Sequence, residues 1–216
     1  MSERPLTITI LVFPRLTILD AIGPYEVLSR LPGAVVQFAA PTTGDCVDAR
    51  GAAVLRPNIA LRDVRETDLL LVAGGPGATS LMTDRQVLEW LRELDRGTTW
   101  TTSVCTGSLL LAAAGLLQGR TATTHWASLA ELKQFGVNER SERVVFDGKY
   151  VTAAGVSAGI DMALTLAARI CGDEVAREIQ LAIEYDPQPP FPGGSVSSSP
   201  PQIVERLRAR YAARSR

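Results

Sequence analysis

One cysteine lies where a pattern typical of a buried strand meets the start of a helix. Cys105 stands in the segment SVCTGS at residues 103–108. A sharp strand-to-helix turn lifts a side chain above the sheet edge, and Gly107 leaves room for the close backbone approach that such a turn needs. The helix N-terminus favours a thiolate, so we expect the pKa of Cys105 to lie below its usual value. The sequence predicts a nucleophile on a strained backbone; a small buried hydrophobic residue is the alternative.

Two further segments carry groups that could act beside this thiol. Asp20 follows the first predicted strand and precedes a helical pattern. It either caps that helix or enters the site as an acid whose pKa is raised by burial, and spacing alone leaves both open. The GGPG turn at residues 74–77 follows another strand. There the N–H of Gly75 could donate to a developing negative charge, although a Gly-Pro turn after a strand is more often only a turn.

The single histidine of the chain limits the possible mechanisms. A Cys-His mechanism would have to use His125, yet a lone histidine beside a tryptophan, here Trp126, is more often a structural or pocket residue. We therefore expect His125 to form part of the pocket wall. Asp161 lies inside an apolar helical pattern, and we expect a buried hydrogen-bonding group there before a catalytic one.

Alternating strands and helices must position these residues. Apolar, β-branched runs predict buried strands at residues 7–13, 68–73 and 99–104. Helical patterns are found at residues 25–31, 81–94, 157–170, 173–185 and 202–214. The pair Asp147-Gly148 predicts a β-hairpin. We expect an α/β fold with a doubly wound, mostly parallel sheet sandwiched by helices, an edge hairpin, and a ligand site at the carboxyl ends of the strands.

The composition describes one ordinary globular domain. The chain has 216 residues, of which 46% are hydrophobic, with 22 basic and 23 acidic side chains. We expect a single domain over residues 1–216 with no nucleic-acid or membrane partner, because the net charge is close to zero and no apolar run is long enough to span a bilayer. Cys46, Cys105 and Cys171 have no CxxC spacing, which argues against disulfides and a zinc site and favours a cytoplasmic location.

Motifs along nearly the whole chain resemble those of the DJ-1/PfpI superfamily. They are FP at residues 13–14, LD at 19–20, GP at 23–24, GG at 74–75, SVCTGS at 103–108, AGLLQGRTATTHW at 114–126 and AGID at 158–161. Within the superfamily, the Cys-Thr-Gly elbow with an early Asp, and EY at 184–185 leading into PPF at 189–191, are similar to the isocyanide hydratases. The resemblance implies a flavodoxin-like fold and a carbon–nitrogen lyase with a cysteine nucleophile, which converts isocyanides to N-formamides through a thioimidate.

The resemblance also implies roles for individual residues. Cys105 is the nucleophile, Asp20 the acid and base, and Thr106 a hydrogen-bond partner of the Asp20 carboxylate. We expect the substrate-binding residues to be Gly75, His125 and Trp126. The resemblance further implies a small-molecule isocyanide substrate, a homodimer, and neither a metal nor an organic cofactor.

Two positions depart from the wider superfamily. Most members carry Glu where this chain has Asp20, and the protease-like members have His directly after the cysteine, where this chain has Thr106. These departures weaken peptidase, amidotransferase and glyoxalase interpretations. The same motifs resemble the ligand-sensing half of certain AraC-type regulators, so a non-catalytic small-molecule or stress-sensing domain is the alternative. We do not expect a DNA-binding regulator, because only one short helix follows the motifs, too little for two helix-turn-helix units.

Overall fold

A seven-stranded sheet forms the centre of this computed structural model, which describes residues 4–214. The strands of the described residues are β1 (Leu6–Leu11), β2 (Ala34–Ala40), β3 (Cys46–Val47), β4 (Val54–Leu55), β5 (Ile59–Ala60), β6 (Leu69–Val72), β7 (Trp100–Val104), β8 (Thr121–Ala122), β9 (Asn138–Glu139), β10 (Val144–Asp147) and β11 (Tyr150–Ala153). The main sheet has the order β10-β11-β7-β6-β1-β2-β5, and only the β10–β11 pair in it is antiparallel. Short pairs β3–β4 and β8–β9 stand apart from it.

Helices flank this sheet in two groups. The α-helices are α1 (Ile18–Leu28), α2 (Ala78–Leu81), α3 (Arg85–Asp95), α4 (Gly107–Ala113), α5 (Ala158–Cys171), α6 (Asp173–Ala182) and α7 (Pro201–Arg214), and 3₁₀ segments cover Leu61–Asp63 and Trp126–Phe135. Helix α5 packs against α1 and α6, whereas α4 packs against α2, α3 and the second 3₁₀ segment. The predicted fold class, a mostly parallel sheet between helices with an edge hairpin, is confirmed.

Strand β6 lies at the centre of the core. It pairs with β1 on one side and β7 on the other, and all four of its residues are fully buried. A parallel strand covered on both faces needs an uninterrupted apolar run, which LLLV at residues 69–72 supplies. Full burial of each such side chain contributes about 1.5–3 kcal/mol, so this strand anchors the turn that follows it.

The predicted helix over residues 81–94 is confirmed as α3, which begins later, at Arg85, and ends at Asp95. Helix α2 ends at Leu81 and α3 begins at Arg85. The Asp84 carboxylate accepts hydrogen bonds from the N–H groups of Gln86 (3.0 Å) and Val87 (3.3 Å). These bonds satisfy free amides of the first turn and set the start of α3.

The other boundaries differ in smaller ways. Helix α1 begins at Ile18, well before the predicted residue 25, so Asp20 lies in its first turn and Thr17 takes the cap position. Helix α6 ends at Ala182, and Gly172, not Asp173, is its N-cap residue. The predicted hairpin is confirmed, since Asp147 pairs with Tyr150 across a turn in which Gly148 has φ 62°.

The chain divides at Ile183 into two compact units, each of which is described by itself. The first holds the main sheet with α1 to α6, and the second, from Glu184 onward, holds α7. The single domain over residues 1–216 stays a prediction. Within residues 4–214, no helix combines the length and apolar character needed to cross a membrane.

Candidate active site

Segments that follow the parallel strands meet at one edge of the sheet. Cys105 comes directly after β7, and its N–H donates to the carbonyls of Ala153 (3.1 Å) and Ala154 (2.8 Å) at the end of β11. Asp20 lies beyond β1, and its Oδ2 accepts the N–H of Gly74, which follows β6 (3.1 Å). Four strands thus deliver residues to one place, at the carboxyl ends where open α/β sheets bind ligands.

The backbone at Cys105 has the strained geometry that the sequence predicts. Its φ is 56°, in the left-handed region that non-glycine residues rarely adopt. A conformation of this kind costs of order 1–3 kcal/mol and persists only when its surroundings hold it. The Cys105 carbonyl is held by the hydroxyls of Thr124 (2.8 Å) and Ser108 (3.1 Å). A Cβ at Gly107 would lie 2.1 Å from the Val72 carbonyl oxygen, so this close approach requires glycine.

Gly74 fills the space between the two candidate catalytic side chains. A Cβ on Gly74 would lie 2.6 Å from the Thr106 nitrogen, 2.8 Å from Asp20 Oδ2 and 2.9 Å from the Cys105 Cβ. All three distances are shorter than van der Waals contact. The GG pair therefore has a function beyond turning the chain, because it lets the acid and the thiol approach each other.

Burial gives Asp20 an unusual affinity for protons. The residue is 0% exposed, and its Oδ1 makes no hydrogen bond. Burial raises the pKa of Asp20 to about 7, although hydrogen bonds from the Gly74 N–H and the Cys105 thiol act in the opposite direction. The carboxyl can therefore take up and release a proton at neutral pH. Of the two alternatives left open by the sequence, the structure places Asp20 beside Cys105 and not at a helix cap.

The resting thiol does not have the lowered pKa that we expect from the helix N-terminus, so that prediction is wrong. Burial raises the pKa of Cys105 and the Asp20 charge raises it further, whereas the N–H groups of Thr106 and Val156 lower it. Cys105 is 5% exposed, and α4 spans only seven residues. Because two adjacent buried acids repel as anions, the pair carries at most one negative charge.

Val156 is a site residue that the sequence interpretation missed. Its φ is 32°, an outlier for a β-branched residue, and its N–H faces the Cys105 sulfur. It lies just beyond β11, so the rule that sites form at strand ends could have found it. Nothing in the local composition signals its conformation apart from the preceding Gly155.

The hydroxyl of Thr106 does not bond to Asp20, which corrects the expected partner. Thr106 Oγ1 accepts the Gly75 N–H at 2.9 Å and lies 3.3 Å from the Gly75 carbonyl oxygen. No hydrogen bond joins Thr106 to Asp20 in the described part of the chain. The Gly75 N–H, expected to donate to substrate, is thus engaged by Thr106. Gly75 has φ 131° and approaches Thr17 so closely that a Cβ would lie 2.4 Å from its nitrogen.

His125 lies beside the turn that contains Val156. A Cβ on Gly155 would be 2.9 Å from the His125 Cδ2, so the imidazole packs directly on this glycine. Burial lowers the pKa of His125, which is therefore neutral at pH 7. Its Nδ1 accepts the Ala127 N–H at 3.3 Å, and the Trp126 ring lies 5.6 Å away, tilted by 36°. The placement of His125 in a pocket wall, and the contact of His125 and Trp126 with substrate, stay predictions.

Asp161 is half-buried, where we expected a buried hydrogen-bonding group. Its carboxylate forms an ion pair with Arg143, and the two side chains are 32% and 50% exposed. Asp161 therefore lies partly at the surface, in the first turn of α5.

A cleft of about 340 Å³ lies next to the site, between Pro14, Gly77 and Leu81. Neither Asp20 nor Cys105 lines this cleft. The thiol is therefore not the floor of that cavity. Among residues 4–214, no three His, Cys, Asp or Glu side chains are grouped so that they could hold a metal ion.

These features define a protein class, and comparison with known proteins agrees. Residues 6–169 match the DJ-1/PfpI family, and the chain belongs to this family. It is 42% identical over 207 residues to an isonitrile hydratase of Pseudomonas putida, covering 96% of this chain and 90% of that one. The crystal structure of a ThiJ/PfpI family protein from Pseudomonas syringae superposes with a TM-score of 0.94 at 33% identity, covering 97% of this chain and 87% of the other.

A second kind of relative carries the same domain. The HTH-type transcriptional regulator CdhR of Pseudomonas aeruginosa is 31% identical over 163 residues. The match covers 74% of this chain but only 48% of the regulator. The fold is therefore shared by an enzyme and by part of a regulator, and the chemistry of the site has to distinguish the two.

Proposed function

We propose that the protein is an isocyanide hydratase, which converts R–N≡C and water into the N-formamide R–NH–CHO. The observation that carries this proposal is the buried pair of Asp20 and Cys105 on either side of Gly74. The terminal carbon of an isocyanide needs both a proton and a nucleophile. A carboxyl that exchanges protons near pH 7, beside a thiol, supplies both.

The first half of the reaction forms a thioimidate. The Asp20 carboxylate takes the proton of the Cys105 thiol, and the sulfur attacks the terminal carbon. Asp20 then delivers the same proton to that carbon, which gives R–N=CH–S attached to Cys105. During this step the N–H groups of Thr106 and Val156 stabilise the negative charge on sulfur.

The second half releases the product. Asp20, again a carboxylate, takes a proton from water while the oxygen adds to the thioimidate carbon. The nitrogen gains this proton, and the intermediate R–NH–CH(OH)–S collapses with cleavage of the C–S bond. The hydroxyl proton returns through Asp20 to sulfur, so the formamide leaves and the thiol is restored.

The burial of Cys105 fits this substrate class. Cys105 is 5% exposed, so a substrate with substituents on both sides of its reacting carbon is hindered. The reacting carbon of an isocyanide is terminal and ends a linear group, and it can reach the sulfur without flanking atoms. In a nitrile, R–C≡N, the electrophilic carbon is internal, which makes nitriles a matched control of similar size.

The test is to incubate the purified protein with aryl and alkyl isocyanides and with the corresponding nitriles. We expect N-formamide from the isocyanides, no product from the nitriles, and loss of turnover in Cys105→Ala. If no isocyanide gives a formamide, the hydratase proposal fails. The alternative, a ligand-binding domain like that of the regulator, then takes its place, and binding without turnover would support it.

The pair of acid and thiol favours the enzyme over this alternative. A binding pocket needs neither a proton donor of raised pKa nor a nucleophile, and it gains no stability from burying a carboxyl with an unbonded oxygen. The homodimer and the cytoplasmic location implied by the sequence remain part of this proposal.

A further inference from the structure

Arg143 holds both ends of the turn that presents Val156. Its carbonyl oxygen accepts the N–H of Ala154 at 2.9 Å, and its guanidinium donates to Ser157 Oγ at 3.2 Å. The same guanidinium forms an ion pair with Asp161 in the first turn of α5. Arg143, the residue before β10, thus connects the start of the turn, the end of the turn and the helix that follows.

The turn needs such support because its backbone is strained. At φ 32° Val156 is far from the conformations that β-branched residues prefer. Strained residues persist where surrounding contacts over-determine them. If the Val156 backbone relaxed to negative φ, its N–H would rotate away from the Cys105 sulfur.

We propose that Arg143 and Asp161 are positioning residues, whose ion pair fixes the strained turn and holds the Val156 N–H against the sulfur of Cys105. The inference rests on the proposed role of Cys105 as the nucleophile. A half-exposed ion pair of this kind adds little to global stability, so its effect is local to the turn.

The groups that face the sulfur define what the proposal predicts. They are the Asp20 carboxyl from α1, the N–H of Thr106 at the start of α4, and the N–H of Val156, while neutral His125 packs on the adjacent Gly155. Loss of the Val156 donor removes one of the groups that stabilise the thiolate. We expect the pKa of Cys105 to rise by about one unit, which is a tenfold fall in thiolate at a given pH.

The experiment measures the rate of alkylation of Cys105 by iodoacetamide against pH, read by mass spectrometry of the Cys105 peptide. An Asp20→Asn background removes the second acid, so the curve reports the thiol alone. In that background Arg143→Gln and Asp161→Asn should both raise the thiol pKa. Long-range electrostatics predicts opposite shifts, because one variant removes a positive and the other a negative charge.

A second ion pair of similar exposure provides the control. Arg120 and Asp147 are 40% and 30% exposed and lie 3.2 Å apart near the opposite end of β11, so Arg120→Gln should leave the thiol pKa unchanged. Ser157→Ala removes only one hydrogen-bond partner of the Arg143 guanidinium, so the thiol pKa should rise by less than in Arg143→Gln. This variant keeps the test available if Arg143→Gln does not fold. Opposite shifts, or no shift relative to Arg120→Gln, overturn the proposal. Alkylation needs no turnover, so failure of the hydratase assay is a separate outcome.

Discussion

The Asp20 carboxylate raises the pKa of the Cys105 thiol, whereas the thiol, as a hydrogen-bond donor, lowers the pKa of the Asp20 carboxyl. The two effects favour one arrangement at rest, with the proton on sulfur and the charge on Asp20. In the proposed mechanism, nucleophilic attack by the sulfur then requires the proton to move to Asp20 first. In the proposed mechanism the carboxyl is therefore the first base of the reaction as well as its acid.

Cys105→Ala should abolish formamide production, because no other described thiol lies beside Asp20. The matched control is Cys46→Ala. Cys46 is also buried, at 1% exposure, but lines the neighbouring cleft. We expect this control to retain activity within a few-fold of the parent protein. Residual turnover in Cys105→Ala, measured by chromatography of the formamide, would contradict covalent catalysis.

Asp20→Asn should lower kcat by about 10²–10⁴, the range for loss of a general acid or base. His125→Ala should keep much of the activity, since His125 packs on Gly155 and burial lowers its pKa. Steady-state rates of the two variants check this. The reverse order of effects would restore a Cys-His mechanism.

The pH profile of kcat/KM should follow the Asp20 carboxyl. The active form has a protonated thiol and an ionised carboxyl, and burial raises the pKa of Asp20 to about 7. Activity should therefore fall as the pH drops below about 7 and reach a plateau above it. A rate that instead falls as the pH rises through 7 would show that the carboxyl must start protonated.

The ionised Asp20 carboxylate should also lower the free energy of unfolding above pH 7. Because its pKa is higher in the folded than in the unfolded protein, the folded state binds more protons between about pH 4 and 7, so the Asp20 contribution to stability declines as the pH rises through this window. A shift of about three units sets a ceiling of about 4 kcal/mol. Asp20→Asn should therefore raise the free energy of unfolding more at pH 8 than at pH 4, as measured by denaturant titration. An equal change at both pH values would contradict this.

Gly74→Ala should reduce both activity and stability. Its Cβ would press on the Thr106 nitrogen, Asp20 and Cys105, and overpacking of this kind costs about 1–3 kcal/mol. Gly44→Ala is the control, because the nearest atom to its Cβ is 3.9 Å away. Thermal denaturation and kcat together check the prediction. If Gly74→Ala kept full activity, the tight spacing of acid and thiol would be unimportant.

The sequence was sufficient for the features that follow from local patterns. The runs that became β6 and β7 are apolar or β-branched because parallel strands are covered on both faces, and the Gly107 elbow follows from the junction of such a strand with a helix. The resemblance to the family identified Asp20 as a partner of Cys105. Spacing along the chain could not, because their proximity depends on how β1 and β7 are placed in the sheet.

Other features depend on tertiary contacts that oppose local preference. The conformation of Val156 contradicts the propensity of a β-branched residue, and contacts from Arg143 to both sides of the turn support it. The pKa of Cys105 depends on burial and on a charge from α1, neither of which a helix N-terminus reveals. The partner of Thr106 depends on the position of Gly75, which is fixed by its approach to Thr17.

The assembly of the site from the ends of β1, β6, β7 and β11 has a consequence for how the chain folds. These strands are far apart in sequence, so their pairing is non-local and forms slowly compared with a helix. The raised pKa of Asp20 comes from its burial, and an incompletely paired sheet leaves the carboxyl in water with an ordinary pKa. The change in the pKa of Asp20 during refolding is therefore a probe of the last step of sheet assembly, and it can be followed without any substrate.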